Sequence, residues 1–170
     1  MNTLEAIFTR RSIRKFLSKE VTDALLLEII KAGMYAPSAH NEQPWHFIIL
    51  KDRQILDMIP TFQPYSEMCK TAPCAILVCG DLFLEKSPGN WPQDCAAATQ
   101  NILLAIHDFK LGSVWASIYP RQERMEKYKD LLNLPDNIQP FALIPLGYYE
   151  ERSQSVDRFK KDRIHYNKWE

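Results

Sequence analysis

The residues best equipped for chemistry stand near the start of the chain. There Arg10-Arg11-Ser12-Ile13-Arg14-Lys15-Phe16 follows a short apolar turn carrying Leu4, Ile7 and Phe8. Guanidinium groups grip phosphate oxygens in a bidentate fork and a serine hydroxyl adds a neutral donor, so this composition suits a phosphate clamp. It equally suits a solvated basic face or a short nucleic-acid patch, because basic runs commonly do no more than keep a surface wet. A second group, Ala36-Pro37-Ser38-Ala39-His40-Asn41-Glu42-Gln43-Pro44-Trp45, lies between a predicted helix end and a predicted strand. Its prolines stiffen the loop, Ser38 and Ala39 permit close backbone approach, and the amides of Asn41 and Gln43 pair donors with acceptors. Such a loop fits against a flat heteroaromatic ring. It is also what a proline-bounded turn with locally satisfied amides looks like.

Other chemistry is sparse. His40 can hydrogen-bond a substrate or simply face solvent. Phe62, Tyr65 and Trp115 can line a pocket or fill a core. No Ser-His-Asp or paired-carboxylate signature is evident, and no Gly-x-Gly-x-x-Gly dinucleotide fingerprint occurs. Cys69, Cys74, Cys79 and Cys95 match neither zinc nor iron–sulfur spacing, which predicts reduced, buried thiols and no metal.

The whole chain bounds these options. Its 170 residues fit one domain, and 46% hydrophobic with 11% aromatic residues is ample for a core. Lysines plus arginines equal aspartates plus glutamates at 21 each, so no global field draws nucleic acid or an anionic membrane, and both are disfavoured as partners. The N-terminus lacks the pattern of a signal peptide and no long apolar run occurs, which points to a cytoplasmic protein.

The elements alternate. Thr22 is placed to cap a helix using Leu25, Leu26, Ile29 and Ile30, with Gly33 and Pro37 ending it. His46 to Leu50 has a strand pattern, residues 52–59 a helical one, and Cys74 to Cys79 forms a continuous apolar run expected to be buried on both faces. A long, widely apolar helix from Trp91 to Lys110 belongs in the centre. A strand from Ser113 to Ser117, a helix over 121–133 and a core strand from Phe141 to Leu146 follow. From residue 150 to 170 the periodicity lapses, yet Phe159, Ile164, Tyr166 and Trp169 give this arm enough apolar anchors to dock on a surface, its own or another subunit's.

Taken together, the ordered motifs resemble the FMN-dependent nitroreductase family, specifically its small single-domain members. They are Arg-Arg-Ser-Ile-Arg at 10–14, the 36–45 loop, Leu-Gly-Ser-Val-Trp at 111–115, Pro-Leu-Gly-Tyr at 145–148 and the closing Ile-His-Tyr-Asn-Lys-Trp. The resemblance implies one α+β domain over residues 1–170, a three-layer arrangement in which helices flank a central, mostly antiparallel sheet. Its C-terminal arm, 150–170, would wrap a partner subunit. It implies a homodimer with FMN at the interface. Arg10, Arg11 and Ser12 would contact the phosphate and ribityl chain, Arg14 would face the pyrimidine edge and tune the potential, and Arg158 would close over the phosphate. Pro37, Ser38 and Ala39 of the neighbouring subunit would line the ring, Asn41 and Gln43 would hold the loop or touch the cofactor, and the Leu146–Gly147 backbone would approach the reactive nitrogen. The implied activity is ping-pong hydride transfer from NADH or NADPH, through the flavin, to a small nitroaromatic, quinone or flavin acceptor. A flavin carrier, sensor or specialised dehydrogenase of the same fold is the alternative, and a colourless phosphate-binding module the more distant one. Two positions depart from the family pattern. Val156 stands where many members carry a lysine, leaving Lys160 or Lys161 as substitutes, and Tyr148-Tyr149 follows Gly147. The short stretch from Leu82 to Trp91 replaces a longer cover over the flavin and predicts an open pocket.

Overall fold

Eight consecutive buried residues, Cys74–Asp81, form the strand around which everything else is arranged. A strand this apolar must be covered on both faces. In a computed structural model describing residues 1–150 and 156–169, that strand, β2, lies between β1 (Trp45–Leu50) and β5 (Ile138–Gly147), antiparallel to each. Ile76 faces Ile49 on one side and Ile144 on the other. The register slips by a bulge between Val78 and Cys79, where Cys79 meets Pro140, a residue with no N–H to give the ladder.

Beyond β5 the sheet is completed by β3 (Gly112–Ser113) and β4 (Ala116–Ser117), both antiparallel to β5. The single strand predicted from Ser113 to Ser117 is therefore two short pieces. Their register is continuous, Ser113 opposite Leu146 and Ala116 opposite Leu143, and the gap falls beside Pro145. Proline can accept from Val114 N (3.4 Å) through its carbonyl but cannot donate back, so the ladder opens there. The result is the expected α+β fold with an antiparallel sheet.

Helix α2 (Asp23–Met34) starts where Thr22 Oγ1 accepts from Leu25 N, as the sequence predicts. Gly33 does not end it. A Cβ at Gly33 would stand 2.8 Å from Ile102 Cγ1, so this glycine lets α2 press onto α4 (Trp91–Asp108). Helix α4 buries Cys95, Ala98, Ile102 and Ile106 and packs on the sheet, the central position its apolar girth demands. Helix α1 (Thr3–Thr9), a full helix where the sequence indicated only a turn, is tied to the end of α4 by the chain's amino group on Asp108 (3.1 Å) and Thr9 Oγ1 on His107 Nε2 (2.8 Å). It buries only Ala6.

A second helical pair is α3 (Arg53–Phe62) and α5 (Gln122–Leu132). Phe62 meets Tyr128 edge-on at 5.1 Å, and the buried Tyr128 hydroxyl donates to Gln63 Oε1 (2.6 Å). Phe62 is thus mainly a packing residue. The four cysteines are free and buried, and burial pushes the thiols of Cys69, Cys74 and Cys79 up to about 12, which keeps them inert. No described helix is long and apolar enough to cross a membrane.

Candidate functional site

The basic segment after α1 runs extended along the sheet edge. Ser12 forms a parallel bridge with Ser113, Ile13 N donates to Ser113 O (2.9 Å), and Leu17 N donates to Tyr148 O (2.8 Å). Ile13 is the inward plug: a Cβ on Gly112 would lie 2.7 Å from its Cγ2, so glycine is required for the segment to sit this close. Because side chains alternate along extended backbone, Ser12 and Arg14 on either side of Ile13 are turned outward and exposed. The arginines thereby divide between two clefts.

The first cleft, about 600 Å³, is lined by Ile7, Phe8, Arg11, Val156, Asp157, Arg158 and Phe159. It joins the two ends of the sequence. Burial, then the charges of Arg158 and Arg11, push the Arg10 guanidinium down from its ordinary value, so three like charges converge here. Arg11 Nη1 donates to Phe8 O and Arg10 O (both 2.8 Å), which fixes its plane across the end of α1, while its buried Nε has no hydrogen-bond partner among the described residues. Asp157 does not neutralise the cluster by an ion pair; its Oδ1 accepts from Phe159 N (2.9 Å). Converging guanidiniums with an orphaned donor have the chemistry of an anion site.

The second cleft, about 320 Å³, has Val114, Ala116 and Ser117 along one side and is closed by Arg14, Tyr65, Ser66, Trp115, Arg121 and Arg124. Of the aromatics considered from sequence, Trp115 and Tyr65 line it. Arg121, Arg124 and Ser66 were not singled out in the sequence, where the two arginines belong to a charged helix that has the composition of a solvated face.

The 37–43 loop is built around Glu42 and Asp94, two acidic residues also missed from sequence. Asp94 Oδ1 accepts from Ala39 N (2.9 Å), and Glu42 Oε2 accepts from Lys86 N (2.6 Å) and Ser87 N (3.2 Å). Burial raises the Asp94 carboxyl above its usual range; the Ala39 N–H opposes this and Glu42 reinforces it. Ser38 Oγ accepts from Gln43 N (3.0 Å), and Gln43 Nε2 donates to Asn41 Oδ1 (2.9 Å), leaving His40, Asn41 and Gln43 at positive φ near 50° and exposed. Pro37, Ser38, Ala39, Asn41 and Gln43 line neither arginine cleft of the same chain. Nor do Leu146 and Gly147. Both are buried, and a Cβ on Gly147 would lie 2.7 Å from Pro73 Cδ, so its glycine serves packing against the 73 turn.

The C-terminal arm is described from Val156 to Trp169; residues 151–155 and Glu170 of the predicted arm lie outside the described residues. Its anchors do not dock on their own chain: Phe159, Tyr166 and Trp169 are 69%, 85% and 88% exposed. Lys160 and Lys161 are exposed as well. No group of three or more His, Cys, Asp or Glu among the described residues could hold a metal ion.

A model of the nitroreductase family matches residues 7–72 and 63–148, spanning the sheet, the second cleft and the N-terminal side of the first. The chain belongs to the nitroreductase family. Among its relatives is a protein of Methanothermobacter thermautotrophicus, 50% identical over 169 residues covering 99% of this chain and 88% of that protein, whose name carries NADH dehydrogenase and NAD(P)H nitroreductase as provisional activities. An FMN-dependent nitroreductase of Clostridium difficile superposes with a TM-score of 0.90 at 26% identity, over 98% of this chain and 100% of that one. A nitroreductase-type structure from Desulfovibrio desulfuricans, solved in complex with FMN, superposes with a TM-score of 0.83 at 29% identity and 99% coverage of both chains. Nitroreductase membership accounts for the ordered motifs along the chain and for the antiparallel sheet.

Proposed function

We propose that this nitroreductase-family protein binds FMN and uses NADH or NADPH to reduce a small electron acceptor. The observation that carries the reading is the convergence of Arg158 on Arg10 and Arg11, with the buried Arg11 Nε left over. These residues fit a phosphate dianion, and relatives of known FMN dependence support its being the phosphate of FMN.

In this reading Arg10, Arg11 and Arg158 hold the phosphate, and Ser12, outward beside them, donates to the ribityl chain. Arg14 faces the pyrimidine edge, where a fixed cation stabilises negative charge. FMN held there would supply the redox chemistry, hydride transfer between the nicotinamide and a nitroaromatic, quinone or flavin acceptor. The protein's own part is to bind, orient and exclude water. The Leu146–Gly147 strand end supports the site from behind by pairing with Ser113 and Gly112.

A homodimer completes the reading. The 37–43 loop lines neither cleft of its own chain, α1 exposes Leu4, Ile7 and Phe8, and the arm exposes Phe159, Tyr166 and Trp169, a set of large apolar surfaces best explained by a partner subunit. Pro37, Ser38 and Ala39 of that partner would then line the ring, with Asn41 and Gln43 fixing the loop.

The test is an absorption spectrum of the purified protein before and after anaerobic addition of NADH or NADPH. Flavin bands that bleach within turnover time support the reductase. Bands that persist favour a flavin carrier or sensor, and a colourless protein that takes up no added FMN overturns the proposal.

A further inference from the structure

The second cleft carries two charges that the FMN reading does not use. Arg121 and Arg124 line it beside Arg14, and none of its lining residues is acidic. In a chain whose charges otherwise balance, that is a local concentration of cation. The guanidiniums of Arg14 and Arg121 make no hydrogen bond or ion pair among the described residues, whereas one arm of Arg124 donates to Ser117 O (2.5 Å) and so is held in place at the cleft wall. Ser66, only 1% exposed, contributes a hydroxyl with no hydrogen-bond partner among the described residues. A buried donor left unpaired costs stability, and it is retained where a ligand satisfies it. Trp115 and Tyr65 add aromatic surface beside the cations, a combination suited to a flat ring carrying a negative group.

We propose that Arg121 and Arg124, with Ser66, form an anion subsite that selects substrates bearing a carboxylate or phosphate beside the ring that exchanges hydride. This rests on the FMN reading only in placing that exchange beside Arg14; the subsite itself is a property of the cleft. The anion has two possible sources, an acidic acceptor or the extra phosphate of NADPH, and they are separable. Arg121→Gln, Arg124→Gln and the double variant of the FMN-loaded protein are assayed for two ratios of kcat/KM: 4-nitrobenzoate over 4-nitrobenzyl alcohol, and NADPH over NADH. Calorimetric titration with 4-nitrobenzoate or 2′-phospho-ADP-ribose gives a readout independent of turnover.

An acidic acceptor predicts a fall of about tenfold or more in the first ratio for the double variant, with matching weakening of 4-nitrobenzoate binding. A nucleotide source predicts the same fall in the second ratio and in 2′-phospho-ADP-ribose binding. Lys31→Gln, a charge change on a helix that lines neither cleft, leaves both ratios where they were. Both ratios and both affinities unmoved in the double variant overturn the subsite. Anion binding that depends on Arg121 and Arg124 in a protein that takes up no FMN supports the subsite and overturns the flavin reading.

Discussion

The two arginine clefts are built in opposite ways. In the first, Arg10 and Arg11 are neighbours in sequence, and Arg11 is locked by its own backbone, so only Arg158 has to be delivered from far away. In the second, Arg14, Arg121 and Arg124 come from the sheet edge and from α5 with the turn before it, and they meet only because β3 and β4 share a register on β5. A contiguous cluster announces a site in the sequence. An assembled one is invisible until the chain is folded, because each contributing arginine is locally indistinguishable from a solvated one.

That contrast can be broken most directly at the first cleft. Arg10→Ala combined with Arg11→Ala removes two charged contacts, each worth about 1.5 to 3 kcal/mol, and FMN affinity should drop by roughly 100-fold or more in a fluorescence titration. Arg121→Gln should alter FMN affinity by less than about threefold; an equal loss would merge the two clefts into one. Truncation before Arg158 removes a single phosphate contact together with the exposed anchors, so FMN should weaken by about tenfold or more and the protein should elute as a monomer in size-exclusion chromatography. A truncated protein that remains dimeric with full FMN affinity would show the arm to be only a surface strap.

Smaller effects sharpen the role of the frame. Gly147→Ala forces a Cβ to 2.7 Å from Pro73 Cδ, a clash against rigid ring atoms, and should cost about 1 to 3 kcal/mol of stability by thermal or denaturant unfolding. FMN affinity at fixed folded fraction should change far less. The smallest effect concerns the 37–43 loop. Because Asp94 is raised in the folded protein, the native state holds its proton over a window just above the ordinary carboxylate range where the unfolded state has lost it. Stability therefore falls as pH rises through that window. Asp94→Asn, which keeps an acceptor for Ala39 N, should flatten that slope and shift stability by no more than about 1 kcal/mol near neutral pH; an unchanged slope would remove Asp94 as its source.

Much of the frame was legible because hydrophobic runs and caps are local signals. Thr22, the Cys74–Cys79 run and the α4 girth each declared their element and its burial. Two boundary errors share one cause. The sequence pattern puts Gly33 at the end of its helix and Gly80 just past the end of the Cys74–Cys79 run, yet Gly33 lies within α2 against Ile102, and Gly80 lies within β2 against Trp91, which would clash with any Cβ there. A glycine that stops an element and one that admits a neighbour look alike until the neighbour is known. Gly147 likewise admits a neighbour, its missing side chain making room for Pro73.

By itself the sequence determined most of the helices and strands, the basic segment at 10–15, the stiff 36–45 loop and the family, since each depends on residue type, period or motif order along the chain. Only the tertiary structure decided which charges share a cleft, which glycines serve close packing, and where the single strand at 113–117 is interrupted. Those outcomes depend on side chains brought together across long stretches of chain, as when Pro145 withholds an N–H beside Val114 or Arg158 arrives at Arg10. Such meetings are fixed by the register of the sheet and the crossing of helices, and no local pattern encodes them.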